Sequence, residues 1–362
     1  MKKIAYFVSG HGFGHAVRSA LVVGELYKLG FECEIISSAP RFIFDVNLRG
    51  VEFKYRRTVS DVGVVQQDAL KIDLPVTRKA WEKIMLHESK WIDMNLHFFE
   101  SSGPVAVVAD IVPSALTLAK RAGLPSFLVA TFTWDWILDY YKDEDARFSE
   151  IAARLNERYM TAQRMIYTPL SFGLPQVEPK NKVSLIAKKS LAEKDELRKK
   201  LGIDNRPAFL VSFGGCGLDE IEKMKLEEMD DFQFLFLAQE KTRKNNKFFF
   251  TNDDVNHEDL VALSDAVITK PGYGVCAESI LNRTPMIYTS RGKFAEYEPL
   301  VSEMQKYIPA RYIGNEELLG GGLRPYLESV PQFTDAHLVN PCGDAADPGT
   351  GAMEAAAIIA GL

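Results

Sequence analysis

Two periodicities take turns along this chain. Ile4-Ala5-Tyr6-Phe7-Val8 is a continuous apolar run of strand length, and the stretch from Ala16 to Leu29 behind it has the spacing of a helix. Further short apolar runs, Cys33 to Ser37, Ala106 to Ala109 and Ser126 to Ala130, alternate with helical stretches, one of which ends at Ala122. Strands of this kind, separated by helices, are the rhythm of a parallel sheet covered on both faces. Leu70 to Glu100 reads as a long helix entered through Asp68 and Pro75, and Ala146 to Gln163 as another, followed by a strand from Met165 to Thr168. Pro169 to Pro179 is punctuated by Pro and Gly and reads as a linker. The rhythm then restarts with Ala208 to Phe213, Phe232 to Ala238, Phe248 to Phe250, Ala266 to Thr269 and Met286 to Thr289. The pattern predicts an α/β protein of two doubly wound, Rossmann-like domains, residues 1–170 and 171–340, whose strand ends face one cleft. Residues 341–362 form a tail, with a short Ala-rich helix from Ala352 to Ala360 expected to pack back across the domains.

Glycine turns stand where such a cleft needs them. Ser9-Gly10-His11-Gly12-Phe13-Gly14-His15 joins the first strand to the first helix, and its three glycines allow a tight turn and a close approach to a ligand. The unpaired N–H groups of the helix start favour an anion. A dinucleotide fingerprint would read G-x-G-x-x-G, with an acidic residue ending the second strand; here the spacing is G-x-G-x-G and that strand ends Ser37-Ser38. The phosphate loop of nucleoside triphosphatases, G-x-x-x-x-G-K-[ST], occurs nowhere. What remains is a turn open to a sugar or phosphate, with His11 and His15 as equal candidates for proton transfer and packing or capping as the structural alternative.

Asp110 ends the strand Val107-Val108-Ala109, on the same sheet edge as that turn, where a carboxylate orients an imidazole or caps the following helix; the two roles coexist. Lys270-Pro271-Gly272-Tyr273-Gly274 repeats the strand, turn and helix start, and places Glu278 on the first turns of the next helix. A carboxylate there accepts hydrogen bonds from ribose hydroxyls while the amides of Gly272 to Val275 approach the phosphates. Gly214, Gly215 and Gly217 form a further turn after a strand. Arg291-Gly-Lys-Phe-Ala-Glu296-Tyr297-Glu298 follows the next strand with groups suited to sugar hydroxyls, although Glu296 and Glu298 suit solvated surface equally. On the acceptor side the candidates are Gly12 and Gly14, the stretch Asp61 to Asp68 with Gln66 and Asp68, and Trp134-Asp135-Trp136, whose indoles serve either as core or as a sugar-binding face.

Composition narrows the partners. A net charge of −6 disfavours nucleic acid, and no apolar run approaches the ~18 residues of a membrane span. A cytoplasmic protein is expected. Cys33, Cys216, Cys276 and Cys342 lack C-x-x-C spacing, so neither a zinc site nor a disulfide framework is expected, and Cys33 reads as core. The basic clusters Lys188-Lys189, Arg198-Lys199-Lys200 and Lys241 to Lys247 read as solvated surface, with a patch for peripheral membrane contact as the alternative. The pairs Asp230-Asp231 and Asp253-Asp254 diverge in an extended segment, and no metal is expected.

Gly10-His-Gly-Phe-Gly-His15, Ala109-Asp-Ile-Val-Pro113 and Phe132-Thr-Trp-Asp-Trp136, continued by Lys270 to Glu278 and Arg291 to Glu298, resemble the N-terminal glycosyltransferase-like module of L-arabinokinases. More broadly the chain is similar, from about Met1 to Leu327, to nucleotide-sugar glycosyltransferases of the GT-B fold, including the peptidoglycan N-acetylglucosaminyltransferases and the plant small-molecule glucosyltransferases. The sugar-kinase half of the arabinokinases is missing from this sequence, so kinase activity is not expected of it. The resemblance implies that His15 is the general base and Asp110 its orienter, with His11 peculiar to the arabinokinase-like pattern. It likewise implies that Glu278 binds the donor ribose and that the turn Gly214 to Gly217 contacts the diphosphate. Glu296 and Tyr297 fall where these enzymes bind the donor sugar, but the usual Asp-Gln or Gln-Gln pair is replaced. The expected activity is transfer of a sugar from a nucleotide diphosphate sugar, a UDP-sugar foremost, to a hydroxyl acceptor, with inversion and with neither metal nor other cofactor. A nucleotide-sugar epimerase and a non-catalytic nucleotide-sugar binder are the rival readings.

Overall fold

The computed structural model of this chain describes residues 1–66, 72–213, 222–337, 339–343 and 347–362. The chain divides into two compact units: Met1–Ile186 with Lys293–Glu296 and Ala345–Leu362 make the first, and Ala187–Gly292 with Tyr297–Asp344 the second.

In unit 1, β1 (Lys2–Val8), β2 (Phe31–Ser37), β3 (Phe53–Arg57), β4 (Pro104–Asp110), β5 (Ser126–Ala130), β6 (Arg164–Tyr167) and β7 (Lys180–Lys182) form one sheet in the order β3-β2-β1-β4-β5-β6-β7. All its pairings are parallel, with Ile4 opposite Cys33 on one side and Ala106 on the other. Such a sheet needs cover on both faces, and successive residues of a strand supply one face each. Ile4, Tyr6 and Val8 enter one core with Val22, Val23 and Leu26, while Ala5 and Phe7 enter another with Trp81, Phe99 and Trp134. The helices are α1 (Phe13–Lys28), α2 (Arg41–Asn47), α3 (Leu74–Ser102), α4 (Pro113–Ala122), α5 (Trp134–Asp139) and α6 (Arg147–Tyr159).

The long helix expected to enter through Asp68 is instead capped by Asp73, whose side chain accepts from the N–H of Val76 at 2.9 Å, with Pro75 in the first turn, where its missing N–H costs nothing. Asp68 lies outside the described residues. Residues 171–186, placed by the sequence reading in the second domain, group with unit 1 because β7 extends its sheet beside β6. The tail helix, Gly351–Ala360, also belongs to unit 1: Ala355, Ala356 and Ile359 join the core that contains Val22 and Val23, and Glu354 Oε2 accepts from Ser184 N at 3.0 Å.

Unit 2 carries β8 (Ala208–Ser212), β9 (Gln233–Leu237), β10 (Thr242–Lys244), β11 (Lys247–Phe250), β12 (Ala266–Thr269), β13 (Met286–Tyr288) and β14 (Ala310–Tyr312), in the order β10-β11-β9-β8-β12-β13-β14. Phe209 and Val211 face one core, Ala208 and Leu210 the other. All pairings are parallel except β10 with β11, a hairpin inside the basic cluster that had read as plain surface. Thr242-Arg243-Lys244 is a short, charged, exposed edge, which discourages further strand pairing.

In each sheet the order turns outward beside the first strand, between β1 and β4 in unit 1 and between β8 and β12 in unit 2. Chains leaving two adjacent strands in opposite directions open a crevice at their carboxyl ends. Among the described residues no helix is long and apolar enough to cross a membrane.

Gly351 tests the docking of the tail helix. A Cβ at this position would lie 2.1 Å from the carbonyl oxygen of Ser184. Gly351→Ala is therefore expected to lower stability by about 1–3 kcal/mol and to speed carboxypeptidase trimming of the tail. A urea midpoint equal to that of the parent chain would refute this contact.

Candidate functional site

The crevice of unit 1 is lined by the loop after β1 and the end of β4, tied together by a hydrogen bond from Ser9 N to Asp110 O of 3.2 Å. Two of the three loop glycines answer to their surroundings, one to a neighbouring side chain and one to its own backbone angle. A Cβ on Gly10 would lie 1.8 Å from Ser38 Oγ, and Gly12 has φ +71°. Gly14 differs: a Cβ there would meet nothing within 4 Å, so this glycine keeps open space above the start of α1. No side chain caps that helix start.

His15, Arg18 and Ser19 sit on one face of α1, at spacings of three and four residues, and all three reach Asp110. His15 Nδ1 is 2.8 Å from Asp110 Oδ1. Arg18 grips both carboxylate oxygens, Nη2 to Oδ1 at 2.5 Å and Nε to Oδ2 at 2.7 Å, and Ser19 Oγ donates to Oδ2 at 2.9 Å. Arg18 Nη1 also donates to Thr131 Oγ1 at 2.7 Å. Asp110 is wholly buried and Arg18 nearly so. Burial alone would raise the Asp110 carboxyl, but the Arg18 charge, then His15 and the hydrogen bonds, outweigh it and hold the group at about 2. The same Nδ1 lies 2.9 Å from Arg18 Nη2, so the ring nitrogen stands between the guanidinium and the carboxylate; the tautomer that donates Nδ1–H to Asp110 carries its lone pair on Nε2. An imidazole in that tautomer has the free nitrogen that a general base requires.

The structure separates the two histidines. His11 stands edge-on to Trp134, with ring centroids 5.1 Å apart, and packs over Gly63, where a Cβ would lie 2.5 Å from its ring. Trp134 itself is fully buried: its Nε1 donates to Asp61 Oδ2 at 3.0 Å, while Asp61 Oδ1 accepts from Gly10 N at 3.3 Å. The indole therefore supports the loop from beneath and presents no open face, in contrast to the sugar-facing role considered for it. Burial raises the Asp61 carboxyl above the ordinary range. Beyond Asp110 the chain turns through Ile111 at φ +52°, a conformation that costs a β-branched residue about 1–3 kcal/mol and is held by Tyr159 Oη donating to Ile111 O at 2.8 Å.

In unit 2, Gly272 caps the helix Tyr273–Leu281 without a side chain, and Arg291 Nη1 donates to Pro271 O at 3.1 Å, strapping the two loops expected to hold the donor. Lys270 is half-buried and Tyr273 buried, and a Cβ on Gly274 would meet open space. Glu278 is buried and engaged: its Oε2 lies 2.6 Å from His257 Nδ1, and His257 Nε2 lies 3.0 Å from Ser212 Oγ. Burial works against a charge on His257, but the adjoining Glu278 carboxylate outweighs it and holds the imidazole above its ordinary 6.5. Tyr297 is pushed up to about 12 by burial.

The remaining candidates scatter. Gln66 is exposed, in an isolated bridge to Ile72. Asp135 and Trp136 line a separate groove of unit 1 with Gly173 and Pro175. Glu296 is 2% exposed and groups with unit 1, where its neighbour Phe294 packs edge-on to Phe132, so it is not the solvated surface charge that was its alternative. Gly214, Gly215, Cys216 and Gly217 lie outside the described residues. Cys33 and Cys276 are buried and Cys342 half-buried, the Cys33 thiol pushed up to about 12 by burial. Among the described residues no three His, Cys, Asp or Glu side chains gather as a metal site would require. The sequence reading missed Arg18, His257 and Ser212. The signal for Arg18 was present, an arginine on the apolar face of α1 between Ala16 and Ala20; for Ser212 and His257 there was none beyond their places at a strand end and a helix start.

No protein-family model matches the chain. It is 29% identical over 332 residues to the L-arabinokinase of Arabidopsis thaliana, spanning 90% of this chain and 32% of the length of that protein. Among solved structures, Arabidopsis thaliana UGT89C1 complexed with quercetin superposes with a TM-score of 0.66 at 11% identity, covering 99% of this chain and 98% of its own. The calicheamicin glycosyltransferase CalG4 gives 0.62 at 12%, covering 99% and 98%, and MurG of Acinetobacter baumannii gives 0.56 at 12%, covering 100% of both chains. The chain has the GT-B fold. Its two seven-stranded sheets are the two Rossmann-like halves of that GT-B architecture.

Acid titration tests the buried cluster. A carboxyl lowered from 3.8 to about 2 contributes stability that is present above 3.8 and is lost as pH falls through about 2. Circular dichroism from pH 5 down to 1.5 is expected to show this loss, and Asp110→Asn is expected to remove it. At pH 7, Arg18→Met leaves Asp110 buried without its counter-charge and is expected to cost about 3–5 kcal/mol in urea unfolding.

Proposed function

We propose that this chain is a glycosyltransferase that moves a sugar from a nucleotide diphosphate sugar to a hydroxyl acceptor, with inversion at the anomeric carbon and without a divalent metal. The observation that carries the reading is the His15–Asp110 pair at the strand switch of a GT-B half, at 2.8 Å and with Asp110 locked by Arg18. UGT2 of Phytolacca americana, solved with UDP-2fluoro-glucose and pterostilbene, has the same fold at a TM-score of 0.58 and 15% identity, over 100% of this chain and 90% of its own. That makes a UDP-sugar the first donor to try.

In the proposed step His15 Nε2 takes the proton of the acceptor hydroxyl as its oxygen bonds to the anomeric carbon. The bond from that carbon to the donor diphosphate breaks, and the electron pair leaves with the diphosphate. Asp110 stabilises the imidazolium that forms. On the donor side Glu278 accepts from the ribose hydroxyls, and the amides at the start of the helix Tyr273–Leu281 receive the leaving charge, with Lys270 just ahead of that helix in sequence and Arg291 bonded to Pro271 O. Tyr297 and the diphosphate turn Gly214 to Gly217 belong to the same donor assignment. A single attack of this kind inverts the anomeric centre.

His15→Ala is expected to lower kcat by about 10²–10⁴-fold while leaving the affinity for the nucleotide donor within a factor of about two. Donor panels scored by thermal shift and by nucleotide release supply the assay. Proton NMR of the product is expected to show inversion; clean retention would sink the assignment of His15 as base. Free sugar released from donor alone, with no acceptor product, would favour an epimerase instead.

A further inference from the structure

Three polar side chains from three elements of unit 2 form a chain at its strand switch. Ser212 closes β8, His257 opens the helix His257–Leu263, and Glu278 lies on the helix Tyr273–Leu281. Ser212 Oγ is 3.0 Å from His257 Nε2, and His257 Nδ1 is 2.6 Å from Glu278 Oε2. With both ring nitrogens engaged, the imidazole cannot rotate without breaking two hydrogen bonds. Its contact in turn fixes one oxygen of Glu278. The carboxylate is 7% exposed, and its other oxygen, Oε1, accepts no hydrogen bond from the described residues. Glu258, adjacent to His257, is drawn the other way, towards Lys188 at 3.5 Å, which leaves Glu278 as the carboxylate that His257 serves.

A glutamate that is to receive a ribose diol has three side-chain torsions to fix, and an acceptor already held in place loses less freedom when the ligand arrives. We propose that His257 is a positioning residue of the nucleotide site: it clamps Oε2 of Glu278 through Nδ1–H and leaves Oε1 aimed at a ribose hydroxyl, without itself touching the sugar. The proposal rests on Glu278 as the ribose ligand of the glycosyltransferase reading. It assigns Ser212 a share of the same task, because the hydroxyl holds the far side of the ring.

The test is calorimetric binding of UDP and of 2′,3′-dideoxy-UDP to the full chain. The unsubstituted protein is expected to prefer UDP by about tenfold or more, as hydrogen bonds to a charged acceptor do. His257→Leu is expected to bring UDP down to the level of the dideoxy compound while the dideoxy compound binds as before. His257→Asn carries an amide N–H where Nδ1 stood and is expected to keep the preference; His257→Gln, whose amide reaches towards Ser212, is expected to lose it. The Asn and Gln pair decides the matter if the Leu variant does not fold. A preference unchanged in His257→Leu or His257→Gln, or an equal loss for both ligands, would overturn the role of His257. Failure of the unsubstituted protein to bind UDP, GDP or ADP, or equal affinity for UDP and its dideoxy form, would instead overturn the nucleotide reading of Glu278, and is seen before any variant is made.

Discussion

The ion pair of Arg18 with Asp110 is the constraint on which the rest of unit 1 depends. A carboxylate at the end of a central strand, with no exposed surface, cannot stay ionised without a counter-charge in contact. Arg18 supplies it through two nitrogens, and because His15 and Ser19 leave the same face of α1, the pair fixes the rotation and the height of that helix against β4. The loop from Ser9 to Gly14 has both ends pinned as a result. One interaction therefore sets where α1 starts against β4 and holds His15 beside its carboxylate. A hydrocarbon pair would fill the same space, often at no loss of stability, but would leave Nδ1 of His15 without its carboxylate.

Each unit answers the same topological demand with a histidine and a carboxylate, and the two answers differ in sign. In unit 1 the carboxylate stands on the strand and the imidazole on the helix, with a guanidinium absorbing the anionic charge. In unit 2 the carboxylate stands on a helix and no arginine reaches it among the described residues, so the imidazole itself is drawn towards the cation. The same two residue types thus meet in different electrostatic settings according to what else is buried beside them.

The fold was legible in the sequence because parallel strands buried on both faces are continuous apolar runs, and Ile4 to Val8 or Ala266 to Thr269 admit few other readings. β3 was missed because Phe53-Lys54-Tyr55-Arg56-Arg57 is a half-exposed strand in which charge interrupts the apolar run, and β14 because Ala310-Arg311-Tyr312 is too short to show a period. Of the site, Asp110 and Glu278 were legible from their places after a strand and after a glycine turn. Their partners were less so. The pairing of Glu278 with His257 spans 21 residues and that of His257 with Ser212 spans 45, and only the packing of three elements brings them together. Trp134 was open to both readings, core or binding face, and it is Asp61, 73 residues away, that takes its N–H inside the core.

Unit 1 is not a continuous stretch of chain. Its sheet ends at β7, but its helical cover is completed only by the helix Gly351–Ala360, after the whole of unit 2 has been threaded between them. During synthesis the apolar flank of α1 therefore waits uncovered while the whole of unit 2 is made, until the helix Gly351–Ala360 emerges. That interval exposes Val22 and Val23 to any passing partner, so the yield of folded protein should depend on how quickly translation reaches that helix and on chaperones that shield this flank meanwhile.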